Sequence, residues 1–92
     1  MIKVKKLVLD ILKPHQPNAL EFASALAEQA GEIQVTLSVV EVDEKTESVI
    51  AEIEGNDIDY TCLTEHIKAL GASVHSIDEV QVISADKKEN RD

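Results

Sequence analysis

IQVTLSVVEVDEKTESVIAEIE, residues 33–54, is the stretch whose reading decides the fold. Ile33, Val35, Leu37 and Val39 alternate with Gln34, Thr36 and Ser38; beyond Asp43-Glu44-Lys45-Thr46, Val49, Ala51 and Ile53 alternate with Ile50, Glu52 and Glu54. Successive side chains leave a strand on opposite faces, so a period of two marks a half-buried strand. Two such runs joined by a short polar segment predict a β-hairpin.

Helical signals flank this hairpin on both sides. Upstream, Asn18 stands where a side-chain acceptor caps a helix, with Glu21 three residues later, close to a capping box. Leu20, Ala23, Leu26, Ala27 and Ala30 then recur at helical spacing until Gly31. Downstream, Gly55-Asn56 breaks the second strand, and Asp57 or Asp59 can cap a helix with the seam Tyr60, Leu63, Ile67 and Leu70, closed by Gly71. The outermost segments are strands: a dense apolar run over residues 3–12, stopped by Pro14 and Pro17, and a last one over residues 73–83. The order is strand, helix, strand, strand, helix, strand, which is two β-α-β units in succession. Interleaving them in right-handed crossovers gives an α+β fold, the two-layer ferredoxin-like plait (βαββαβ), with an antiparallel four-stranded sheet and both helices on one face.

Ninety-two residues suit one core. The domain is expected over residues 1–84, with 85–92 a charged, mobile tail. A chain of this length buries only roughly 60–65% of the surface its unfolded form exposes, so association with copies of itself would help. With Phe22 and Tyr60 as the only rings, the core must be aliphatic, and aromatic platforms for sugars or single-stranded nucleic acid are lacking. A formal charge of −9 repels a phosphate backbone, so no nucleic-acid partner is expected. Cys62, the single cysteine, fits a reducing cytosol, and no run approaches the length of a membrane span; a cytoplasmic protein with no membrane partner is expected.

In the plait, the exit of the first strand, the hairpin and the start of the last strand share one end of the sheet. That end gathers Asp10, Lys13 and His15, then Glu41, Asp43, Glu44, Lys45 and Glu47, and His75. Clustered carboxylates with imidazoles are what a divalent cation needs, so Asp10, Glu41, Asp43, Glu47, His15 and His75 are candidate metal ligands. Oxygen donors favour calcium or magnesium, and the two imidazoles would favour zinc. The bland alternative is a solvated hairpin tip, since no ordered ligand motif such as an EF-hand spacing is present. His15 beside two prolines reads as an exposed imidazole.

Other uses of this topology find no support in the residues. An RNA-recognition module needs rings on its central strands, a copper chaperone needs paired cysteines where this chain has Lys13-Pro14-His15, and no glycine-rich loop precedes a helix. No serine stands in a nucleophile elbow, and no catalytic pair can be assembled.

The runs Leu7-Val8-Leu9-Asp10-Ile11-Leu12-Lys13-Pro14-His15, Val39-Val40-Glu41-Val42-Asp43 with Thr46-Glu47, and Val74-His75-Ser76-Ile77-Asp78-Glu79-Val80 resemble an archaeal family, domain-of-unknown-function family 211. Ile53-Glu54-Gly55 and Ile58-Asp59 fit the same pattern, and Ala72-Ser73 departs from it slightly. The resemblance covers nearly the whole chain apart from the charged tail. It implies the ferredoxin-like plait and assembly into rings of several subunits, and it brings no activity. The expectation is therefore a non-enzymatic, homo-oligomeric binding module that takes up a divalent cation at its acidic end. The alternative is a small-metabolite sensor similar to ACT regulatory domains, or an enzyme with an inter-subunit site, in which Lys13 and His15 would hold an anionic group.

Overall fold

The computed structural model describes residues 1–84; the charged tail expected over residues 85–92 lies outside the described residues. The elements are β1 (Ile2–Pro14), α1 (Ala19–Gln29), β2 (Ile33–Val42), β3 (Thr46–Gly55), α2 (Tyr60–Ala69) and β4 (Ser73–Ser84). They form one antiparallel sheet in the order β2-β3-β1-β4, with the helices packed on one face. This is the ferredoxin-like plait.

Local chemistry sets the element boundaries. At α1 the capping box is complete: Glu21 N donates to Asn18 Oδ1 at 2.8 Å and Asn18 N donates to Glu21 Oε1 at 3.0 Å. This satisfies two backbone donors that would otherwise lack partners at the helix start. Asp59 caps α2, accepting from Cys62 N at 3.1 Å. Both helices hand over to a strand through a glycine at positive φ, Gly31 at 88° and Gly71 at 86°, where a side chain would strain the backbone.

The core is aliphatic around a single buried ring. Leu7, Leu9 and Ile11 of β1 and Val49, Ala51 and Ile53 of β3 meet Phe22 and Leu26 of α1 and Leu63 and Ile67 of α2. The α2 seam is the one the sequence predicts. The α1 face differs: Phe22 and Leu26, one turn apart, point inward, and Leu20 is 76% exposed. Two residues of helix turn through about 200°, so a face that buries Phe22 must turn Leu20 to water.

Four irregularities interrupt the ladders. Register shifts leave Lys5 of β1 and both His75 and Asp78 of β4 unpaired in the β1–β4 seam, and leave Val40 unpaired in β2. Beside the first, the 56–58 loop straps β1: Ile58 N donates to the Val4 carbonyl at 2.9 Å and Lys5 Nζ to Asn56 Oδ1 at 2.6 Å. On the open face Lys6 bridges Glu52 of β3 and Glu79 of β4, each at 3.3 Å. Hydrogen bonds first to Glu52 and then to Glu79 raise its pKa above the ordinary 10.5. No helix among the described residues is long and apolar enough to cross a membrane.

Candidate functional site

The register brings the exit of β1, the β2–β3 turn and the start of β4 to one end of the sheet: Pro14 lies opposite Thr46, Val42 opposite Glu47, and Leu12 opposite Ser73. The sheet nevertheless divides the candidate ligands between its two sides. Opposed residues on neighbouring strands project to the same face, and residues an odd number apart project to opposite faces. Asp10 therefore lies on the open face and Lys13 on the helix face.

On the helix face, Lys13 continues the inward series Leu7, Leu9, Ile11 and is fully buried. Its Nζ donates to the Pro14 carbonyl at 2.7 Å and to Glu47 Oε1 at 3.0 Å, and lies 6.0 Å from the centroid of the Phe22 ring. The other Glu47 oxygen faces His15 Nδ1 at 3.0 Å, and His15 Nε2 faces the Glu44 carbonyl at 3.0 Å. His15 is thus held at both nitrogens instead of standing free in solvent. Both of its partners are acceptors, and a neutral imidazole can donate only once, so the geometry is matched to the imidazolium. The hydrogen bond to Glu47, followed by that to the Glu44 backbone, raises the His15 pKa above 6.5. Hydrogen bonds from His15 and then Lys13 lower the Glu47 carboxyl below 4.5.

These shifts have opposite consequences for stability. A raised histidine contributes in full below 6.5 and loses that contribution as pH rises through its folded value; a lowered glutamate contributes above 4.5 and loses it as pH falls through its folded value. The destabilisation caused by His15→Asn, followed as a thermal midpoint against pH, should be greatest between these two values and shrink on the alkaline side. An identical loss at pH about 5.5 and pH about 9 would show that the imidazolium is not what Glu47 holds.

On the open face, Asp10, Leu12, Ser48 and His75 line a depression of ≈ 330 Å³. Val74 pairs with Ile11 and Ser76 with Asp10, so His75 is the extra residue of a β-bulge, a device that re-aims a side chain. Asp10 is half-buried and has no hydrogen-bond or ion-pair partner among the described residues. Glu41 lies opposite Ser48 on the same face, exposed, and Asp43 closes the turn, its N donating to the Thr46 carbonyl at 2.7 Å. Among the described residues no three His, Cys, Asp or Glu side chains are grouped so as to hold a metal ion.

The six candidates therefore fall into two sets, Glu47 with His15 on one side and Asp10 with His75 on the other, with Glu41 and Asp43 at the rim. Lys13 and His15 are already engaged with Glu47, so neither presents a free donor to an anion. Residues that sequence reasoning passed over are Phe22, which roofs Lys13, and Ser48, which lines the depression.

The model of family DUF211, described as "Uncharacterized ArCR", matches residues 5–88. The chain belongs to this family. An uncharacterized protein of Methanocaldococcus jannaschii is 43% identical to it over 77 residues, which is 84% of this chain and 79% of that relative. The family match over residues 5–88 contains both the Lys13–Glu47–His15 cluster and the Asp10–His75 depression. Neither the family nor this relative carries a named activity.

Proposed function

We propose that the chain is a non-enzymatic, oligomeric binding module of the cytoplasm, with no nucleic-acid partner, that takes up a divalent cation on the open face of its sheet. The observation that carries this reading is the β-bulge that turns His75 into the depression where the half-buried carboxylate of Asp10 has no partner. A carboxylate without a protein partner beside an imidazole leaves oxygen and nitrogen lone pairs for a cation to share. Glu41, at the rim of the same face, adds a second oxygen donor. One chain offers too few donors for a closed site, so water or a second copy supplies the rest, which ties cation uptake to assembly. Calcium or magnesium is favoured if Asp10 and Glu41 dominate, zinc if His75 does, because hard cations prefer oxygen and imidazole suits zinc.

Calorimetric titration with calcium, magnesium, manganese and zinc tests the reading. Binding should weaken as pH falls, since protons compete for the same donors. Asp10→Asn keeps the shape and removes the charge, so it should reduce affinity at least about tenfold, the effect of losing roughly 1.4 kcal/mol. Undiminished binding by Asp10→Asn, or no binding of any of the four ions by the parent, would overturn it.

A further inference from the structure

The helix α2 presents two unlike flanks. Its seam of Leu63, Ile67 and Leu70 faces the core, so at about 100° per residue His66 and Ala69 turn toward α1, and Thr64 and Lys68 turn toward β4. The crevice on the α1 side holds only ≈ 90 Å³. On the β4 side a groove of ≈ 420 Å³ opens between the helix and the start of the strand, with Ile67 and Val74 on its apolar side and Thr61, Thr64, Glu65 and Lys68 on its polar side. That volume lies within the range of about 300–1,000 Å³ found for small-molecule sites.

Two opposite charges stand in this groove. Among the described residues the side chains of Glu65 and Lys68 make no hydrogen bond or ion pair, although a spacing of three on a helix leaves their Cβ atoms only about 5–6 Å apart. The Thr64 hydroxyl donates to the Thr61 carbonyl at 2.9 Å, which leaves its oxygen as an acceptor.

We propose that the groove binds a free aliphatic α-amino acid. Such a ligand carries an ammonium, a carboxylate and an apolar branch on one carbon, and the groove offers a counterpart to each. Lys68 takes the carboxylate, Glu65 the ammonium, and the Ile67–Val74 side the branch. The hydroxyl oxygens of Thr61 and Thr64, one turn before Glu65 and Lys68, accept further ammonium protons. A ligand of single charge fits less well, because an anion on Lys68 also meets Glu65 and a cation on Glu65 also meets Lys68. Val74 is paired with Ile11 on the helix face, whereas Asp10 and His75 lie on the open face, so this inference stands apart from cation uptake.

Calorimetric titration of the full chain, kept metal-free with a chelator, tests the assignment with L-valine and L-leucine. At least one should bind with a Kd of about 1 mM or tighter. Its deaminated acid and its decarboxylated amine, each lacking one charge, should bind at least about tenfold more weakly. Three different contacts around one carbon also require the D enantiomer to differ in affinity. Glu65 and Lys68 are exposed, so Glu65→Gln and Lys68→Gln should keep the thermal midpoint of the parent while each lowers affinity by about tenfold or more. No binding of either amino acid by the parent overturns the proposal. Equal affinity for the deaminated acid would reduce the groove to an anion site on Lys68 and overturn it too, as would equal affinity for both enantiomers or undiminished binding by either variant. Because metal is absent throughout, each of these failures leaves the cation reading standing.

Discussion

Lys13→Ala is expected to destabilise the fold by about 3–5 kcal/mol, the range found when one partner is removed from a buried ion pair. The side chain is 0% exposed, and its ammonium is shared between the Pro14 carbonyl and Glu47 under the face of Phe22. Truncation opens a cavity beneath α1 and takes away the donor that Glu47 meets on its inner side. Lys13→Met retains most of the volume, and combining it with Glu47→Gln removes both charges. That double variant should recover most of the loss, because replacing a whole buried pair by groups of similar size is often close to neutral. Urea melts of the three proteins decide the matter. A Lys13→Ala variant within about 0.5 kcal/mol of the parent, the behaviour of a surface position, would show that this ammonium does not hold the end of the sheet.

Leu26→Ala and Leu63→Ala should each cost about 2–5 kcal/mol, since both side chains are fully buried and the site can relax only in part. A small domain has a total stability of about 5–15 kcal/mol, so either variant can approach complete unfolding. The informative comparison is Leu20→Ala, same residue type and same helix, at a position facing water. It should change stability by less than about 0.5 kcal/mol. A milder core change, Ile67→Val, should cost about 0.5–1.5 kcal/mol and keeps the comparison readable if the alanine variants do not fold. Equal losses for Leu20→Ala and Leu26→Ala would mean that α1 sits with another face inward.

Much of the fold was legible because local and global signals agree. The alternation over residues 33–54, the capping box at Asn18 and Glu21, and the helix-ending glycines each follow from chemistry within a few residues. The error on α1 has the same root. Counting apolar residues at helical spacing favoured the Leu20 line, but the ring of Phe22 carries more area than the alanines around it, and burying it fixes the rotation of the helix. The candidate site was legible only as an end of the sheet. Which residues meet there depends on parity along β1 and on the register with β3, and Glu47 lies 34 residues from Lys13 in sequence. One signal was available: Lys13 follows Leu7, Leu9 and Ile11 at a strict period of two, which assigns it to the core face. Lysine is so seldom buried that composition argues the other way. The bulge at His75 has no sequence signature, since it arises from how β4 accommodates β1.

The interrupted seam between β1 and β4 also bears on how the protein behaves at high concentration. Each bulge bends its strand and adds right-handed twist. Fibrils of the cross-β type require the reverse: identical flat strands stacked in register every 4.7–4.8 Å. An edge as long and as rich in valine and isoleucine as β4 would be a hazard if it were straight. With Lys5, His75 and Asp78 each displaced from the ladder, it presents a coiled template that a flat strand cannot follow over more than a few residues. The irregularity that aims His75 thus also disfavours the flat, in-register stacking of a fibril.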